Sequence, residues 1–306
     1  MNNLSLYLLT VLIWGSTWIA VEFQIPASEV DLNGQIIGSS VTAEVSIFYR
    51  YAIASFVIFL WCWARKINLK FRLKTHLVFM AMGVLMFGLN YICVYVGQGY
   101  ITSALMAIIF SMVSWMNIFN ARLFFGTRSG PRVILGAVLG LAGLCLMFWP
   151  SIKDVSLNDA TIIGALIGML GAYLASLGNM VSQATQKQNL PVMETNAWAM
   201  LYGGVFTALV SLGRGQSFTM DWSLPYIASL LYLAIFGSVI AFWAYLTLLG
   251  RIGANKAGYA TIAFPVIAIL LSVMFEDLKV TVTLLIGMIM VLVGNLAILN
   301  RKPVEP

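Results

Sequence analysis

Charged side chains make up only 9% of this 306-residue chain, while apolar residues reach 61%. Soluble domains run near roughly 25% and 45–50%, so a water-soluble core is excluded. There is a single histidine, His76, which cannot build a His-rich metal site. The three cysteines, Cys62, Cys93 and Cys145, all fall inside apolar runs, where an odd number reads as small packing residues and implies no disulfide framework. The first residues, Met1-Asn2-Asn3, lack the charged n-region of a cleaved signal peptide, so residues 4–21 read as a retained span. No Asp or Glu lies in the middle of an apolar run, and no proton relay of midplane carboxylates or histidines is visible. HExxH and GxSxG are absent, which disfavours an intramembrane enzyme, and the absence of GxxxxGK[ST] disfavours ATP-driven transport. No catalytic residue, metal or cofactor is expected.

What the chain does have is apolar length. It accommodates about ten spans of about 20 residues joined by short loops. They are expected at residues 4–21, 46–64, 77–96, 104–124, 133–149, 160–181, 196–212, 225–249, 257–275 and 280–299. The net charge of +6 is explained by where the basic residues fall. With the N-terminus inside, 13 of the 17 Lys and Arg lie on the inner side, against Arg50, Lys153, Arg214 and Lys279 outside. The positive-inside rule therefore predicts both termini in the cytoplasm, and a nucleic-acid partner loses its motivation.

The stretch 250–294 repeats the organisation of 97–143. Each begins with a glycine-punctuated connection, followed by an Ala-rich apolar helix, a short polar break and a second apolar helix. In that second helix Gly136 and Gly143 match Gly287 and Gly294, seven apart in both halves and offset by 151. Five spans per half is an odd number, so the two halves, residues 1–149 and 150–306, are predicted to sit in opposite orientations. The break near Gly126 then falls inside and the one at Glu276 and Asp277 outside. The expected fold class is an all-α integral membrane protein of ten helices in two inverted five-helix repeats, an arrangement that permits alternating access.

With these features on the page, the chain resembles the drug/metabolite transporter superfamily, and within it the ten-span EamA family. The resemblance rests on WGSTW (Trp14 to Trp18), Tyr49-Arg50-Tyr51, Asn90-Tyr91 with Tyr95, Phe264-Pro265-Val266 and Phe275-Glu276, and runs from about residue 4 to residue 300. Three departures stand out. Ser114-Trp115 aligns with Pro265-Val266, so the first half lacks the proline. Gly126-Thr127 replaces a common Gly-Glu, and the loop 24–45 is longer than usual. What the resemblance implies is a multi-pass inner-membrane secondary carrier of a small organic metabolite, an amino acid or similar, often an exporter. An importer or exchanger of a vitamin, nucleoside or other metabolite is the alternative. The expected partners are a small-molecule substrate and the lipid bilayer; both a monomer and a dimer stay open.

Arg50 is the most informative single residue, because a charge inside a span is costly and marks function by default. The competing reading is a side chain that snorkels to the outer face or pairs with Glu22 or Glu44. Asn90, Asn117, Asn120 and Asn179 read as interhelical amide contacts, with Asn90 also a binding candidate beside Tyr91 and Tyr95. Trp14 and Trp18, four apart, share a helix face with Thr17 between them. Together with Tyr91, Tyr95, Trp115, Tyr173, Tyr202 and Trp243 they are candidates to line an apolar cavity, against the plainer reading of packing. Trp149 and Trp222 read as interfacial belt residues. Gly136 with Gly140, and Gly164 with Gly168, permit close backbone approach. Pro265 removes a backbone hydrogen bond inside its helix and predicts either a fixed kink or a gating hinge.

Overall fold

A computed structural model describes residues 1–25, 29–30, 36–37, 39–126, 131–147, 160–257, 259–275 and 280–299. Trp149, Lys153, Glu276, Asp277, Lys279 and the tail with Arg301 and Lys302, to which the sequence assigned positions, lie outside them. The described chain is helical apart from a short antiparallel pairing of β1 (Glu29–Val30) with β2 (Ile36–Ile37), in which Glu29 faces Ile37. In chain order the helices are α1 (Asn3–Glu22), α2 (Ala43–Ala64), α3 (Leu73–Gln98), α4 (Ser103–Phe125) and α5 (Pro131–Met147). The second half supplies α6 (Ala160–Lys187), α7 (Val192–Gly213), α8 (Leu224–Ala257), α9 (Tyr259–Phe275) and α10 (Val282–Leu299). Six of the described helices are long and apolar enough to cross a membrane, and shorter apolar helices run Ala263–Phe275 and Val282–Gly294.

The burial pattern inverts that of a water-soluble bundle. Large apolar side chains such as Trp63, Phe56, Leu209 and Met274 face outward, while Arg50, Asn90, Asn117, Asn120 and Asn179 are buried. Lipid is as apolar as leucine, so the helices gain nothing by hiding leucine from it. They associate instead through close packing and interhelical polar contacts. This is a multi-pass membrane architecture.

Close packing is most evident between α5 and α10. A Cβ built on Gly143 would lie 2.6 Å from the Gly287 carbonyl oxygen, and one built on Gly294 would lie 2.5 Å from the Gly136 carbonyl oxygen. The two glycine pairs that revealed the repeat thus meet one another, and they do so antiparallel. Glycines of α6 likewise face α3: a Cβ on Gly171 would lie 2.9 Å from the Cβ of Cys93. Other main packings join α2 to α7, α1 to α9, α4 to α6 and α9, α8 to α1 and α2, and α3 to α7. Exchanging the two halves leaves this set of packings unchanged, as a pseudo-twofold relation requires. Cys62 and Cys93 are both free thiols.

Three local features depart from the sequence reading. Helix α8 continues through Arg251 to Ala257, where a glycine-punctuated connection was expected. Gly250 is accommodated within the helix, packed against the Gln186 side chain, because one glycine there lowers helical stability by only about 1 kcal/mol. Next, α4 is interrupted at Met112 although it has no proline. There the Ser111 hydroxyl donates to the Ile108 carbonyl at 2.7 Å, and the Met112 N–H bonds to Ile109, three residues back. Such serine back-bonding bends helices. In α9 the corresponding region carries Pro265 within the helix. Finally, α3 and α8 each contain a π-helical stretch, Gly83–Leu89 and Leu233–Ile240, which apolar periodicity did not predict.

Candidate functional site

A cavity opens between α1, α2, α3, α4, α6, α8 and α9; among the described residues α5, α7 and α10 contribute none of its lining. It offers about 90 Å³ to the centres of water-sized molecules, and one water needs about 10–15 Å³ on that measure. Helix α1 presents Trp14, Thr17, Trp18 and Val21, the face expected from their spacing. Trp14 packs against Phe242 and Tyr245 of α8, with ring centroids 5.0 and 4.7 Å apart. Trp18 packs against Phe110 of α4 and Phe264 of α9, at 5.0 and 5.7 Å. Two aromatic clusters, one on each tryptophan, therefore form an apolar box.

The polar side of the box is built around Arg50, which is only 2% exposed. Its Nε donates to Ser238 Oγ at 2.9 Å and its Nη2 to the Tyr91 hydroxyl at 3.4 Å. The guanidinium carbon also lies 4.6 Å from the centre of the Tyr91 ring, a cation–π distance. The snorkelling reading fails on this burial. The acidic partners suggested by sequence are engaged elsewhere: Glu44 forms an ion pair with Arg214, and Glu22 accepts from Gln98 Nε2 at 2.8 Å. Among the described residues no carboxylate comes within ion-pair reach of Arg50.

Two other polar atoms of the cavity wall lack hydrogen-bond partners. Asn90 donates its amide to the Met86 carbonyl at 3.0 Å, which leaves Asn90 Oδ1 buried without a donor. Trp18 Nε1 is buried without a partner as well. The Asn179 amide reaches Asn117 Oδ1 at 3.3 Å beside Tyr245. Buried polar atoms are normally satisfied; Asn90 Oδ1 and Trp18 Nε1 are two unpartnered ones on the wall of a cavity, where a ligand can reach them, and others, such as Asn196 and Gln183, lie away from it. Among the described residues no group of three or more His, Cys, Asp or Glu is arranged to hold a metal ion.

Of the sequence candidates, Trp14, Thr17, Trp18, Arg50, Asn90 and Tyr91 line the cavity. Tyr95 does not; it is buried one turn beyond Tyr91. Trp115 turns aside to donate to Met112 Sδ at 3.2 Å. Tyr173 is 37% exposed, because its position lies about 200° around α6 from Gly171, which faces α3. Tyr202 bonds His76 Nδ1 at 2.9 Å on α7, which does not reach the cavity. Trp243 is one residue on from Phe242 and so turned away about 100°. Sequence reasoning missed Phe110, Phe242, Tyr245, Gly237 and Ser238. The available signal was the Gly-Ser pair inside the apolar run of α8, followed by aromatics three apart.

The EamA-like transporter family model matches residues 2–149 and again 162–300. Similar sequences include the uncharacterized transporters YvbV and YoaV of Bacillus subtilis (strain 168). YvbV is 25% identical over 76% of this chain and 75% of its own length; YoaV is 22% identical over 92% and 91%. A protein of Escherichia coli (strain K12) named a probable amino-acid metabolite efflux pump is 21% identical over 63% of this chain and 66% of its own. A solved crystal structure matches with a TM-score of 0.69 at 15% identity, covering 95% of this chain and 94% of that one, which bears on the fold alone.

Proposed function

The chain belongs to the EamA-like transporter family, and from that premise we propose that it is a secondary carrier for a small organic solute bearing a carboxylate, an amino acid or similar metabolite. The observation that carries the reading is Arg50, buried in an aromatic box with no acidic partner among the described residues. A cation at membrane depth costs about 2.5–3.5 kcal/mol on insertion scales. A solute carboxylate accepted by the guanidinium fork would offset that cost. The unpartnered Asn90 Oδ1 would take a donor from the same solute, and the aromatic walls would take its apolar part.

In this reading the ten helices are ten spans, both termini are cytoplasmic, and the membrane is the inner membrane. Two inverted halves alternate access around the cavity. The antiparallel meeting of Gly136 and Gly143 with Gly294 and Gly287 supports inversion, since an axis that carries α5 onto α10 antiparallel lies across the helices. Export is the favoured direction, on the strength of the efflux relative. Pro265 serves as a hinge on the α9 wall, so Pro265→Ala slows turnover and leaves the solute's affinity unchanged. Equal turnover removes the hinge.

Purified protein in liposomes, screened with labelled amino acids, nucleosides and vitamins, tests the reading. Movement of carboxylate-bearing solutes, lost in Arg50→Ala, is expected. Movement of neutral solutes alone, or unaltered affinity in Arg50→Ala and Arg50→Lys, overturns it. The same liposomes with and without a proton gradient separate exchange from proton coupling.

A further inference from the structure

We propose that Ser238, set in the π-helical stretch of α8, is a positioning residue that orients the Arg50 guanidinium toward the solute and so sets the carrier's preference for a carboxylate. This rests on the reading of the cavity as the solute site. The argument begins with the one proton that a serine hydroxyl has to donate. Ser238 Oγ lies 2.9 Å from the Leu233 carbonyl, five residues back, and donates to it. With its proton committed, the hydroxyl can only accept from Arg50, and Nε–H is the group it meets, at 2.9 Å. Holding Nε fixes the plane of the fork; Nη2 gives one N–H to the Tyr91 hydroxyl at 3.4 Å, and the remaining N–H groups of the two terminal amino groups are left to donate to a carboxylate.

The π-helical stretch makes this possible. An extra residue in the turn shifts the helix face, and Gly237 and Ser238 come to oppose α1 and α2 together. Gly237 adds room. A Cβ there would lie 2.8 Å from Thr17 Cγ2 and 3.3 Å from Arg50 Nη2. Its carbonyl accepts from Trp14 Nε1 at 3.3 Å. One turn of α8 therefore holds a tryptophan of the aromatic box and the cation of the polar side in fixed relation. Neither Gly237 nor Ser238 lines the cavity, so Ser238 acts through Arg50.

The test compares matched acids and amides: alanine with alaninamide, leucine with leucinamide, and phenylalanine with phenylalaninamide. Binding is read from the intrinsic fluorescence of the purified protein, and transport is read in liposomes. Wild-type protein is expected to favour the acid of at least one pair. Ser238→Ala should reduce that preference about tenfold, the scale of one hydrogen bond to a charged group, through a raised KM with little change in maximal rate. Ser238→Thr, which keeps the hydroxyl, should restore it. A merely structural role would weaken acid and amide alike, or lower the yield of folded carrier without altering the ratio; either result overturns the proposal. So does a Ser238→Ala carrier with wild-type preference. If wild-type protein favours the acid of no pair, the solute-site reading itself fails, and the role of Ser238 fails with it.

Discussion

Helices α3 and α8 occupy matching places in the two halves, and both pass through a π-helical stretch about 150 residues apart. They use it differently. In α3 the stretch brings backbone to backbone: a Cβ on Gly203 of α7 would lie 2.7 Å from the Gly83 carbonyl oxygen, and Gly88 sits under the Phe206 ring. In α8 the stretch carries Ser238 and holds Arg50. The positions 149 to 151 residues after Arg50, the range spanned by the helix ends and the glycine repeat, are Ala199, Met200 and Leu201, all apolar. A shared frame thus packs helices in one half and places a cation in the other. The frame is pseudo-symmetric, and the chemistry is not.

The strongest way to break this contrast is to make the halves alike. Arg50→Met gives α2 an apolar residue like those in the matching stretch of α7. It should abolish acid-over-amide preference, a change of about 30–100-fold for loss of a bidentate charge-assisted contact. The same substitution should raise thermal stability, because replacing a buried ion by an apolar side chain of similar size is often stabilising by about 1–4 kcal/mol. Transport and the Tm of the purified protein are measured together. A variant that loses both preference and stability would make Arg50 a structural residue. A smaller effect is expected where the halves already agree. Gly143→Ala and Gly287→Ala should each lower stability by about 1–3 kcal/mol through overpacking of α5 against α10. Their effects should match each other closely in thermal unfolding; a large inequality would mean the frame is less symmetric than its contacts.

Glycine spacing and apolar runs made the frame legible in the sequence. Helix ends came within a few residues at α1, α4 and α10, because lipid length and polar breaks set them. The ends of α6 and α8 were misplaced because both helices continue into polar sequence, Ser182 to Lys187 and Arg251 to Ala257. Of the candidate cavity, part of the lining was legible. Charge cost pointed to Arg50 and the four-residue spacing to Trp14 and Trp18. Aromatic content by itself could not tell Phe242, which lines the cavity, from Trp243, which does not. That distinction depends on rotation about α8, and a π-helical stretch changes the rotation without leaving an apolar period to read.

Further along the scale lie the two ends of the α2–α7 contact. Both helices terminate on an arginine followed by a positive φ, Arg65 with Lys66 and Arg214 with Gly215. Both also begin with a glutamate in the first turn, Glu44 and Glu194. Among the described residues only one ion pair forms. Glu44 binds Arg214 and accepts from Gln216 Nε2 at 3.3 Å, while Glu194 and Arg65 stay apart. Arg214 is 61% exposed, so screening limits the pair's worth to about 1 kcal/mol. Glu44→Gln should lower Tm by that small amount, and added salt should erase the difference. Glu194→Gln should show no salt-dependent loss. Equal losses at the two ends would restore the symmetry that the ion pair breaks.

The smallest expected effect separates the loops that lead into α3 and α8. Each contains the same turn, in which a side-chain oxygen accepts from the backbone two residues on: Asn68 from Lys70 at 2.9 Å, and Asp221 from Ser223 at 2.8 Å. Asparagine does not titrate, so only the second turn should respond to pH. Partial burial pushes the Asp221 carboxyl upward, but hydrogen bonds from Ser223, Ser40 and Ser39 more than offset this and hold it below its ordinary value. A depressed folded-state pKa means that the stabilisation is complete above the unfolded value, near about 3.9, and is lost as pH falls through the folded value. Wild-type Tm should therefore show a small acid-side fall in that window, absent from Asp221→Asn. Asn68→Asp should create a second such fall in the first half, and the two loops would then titrate alike.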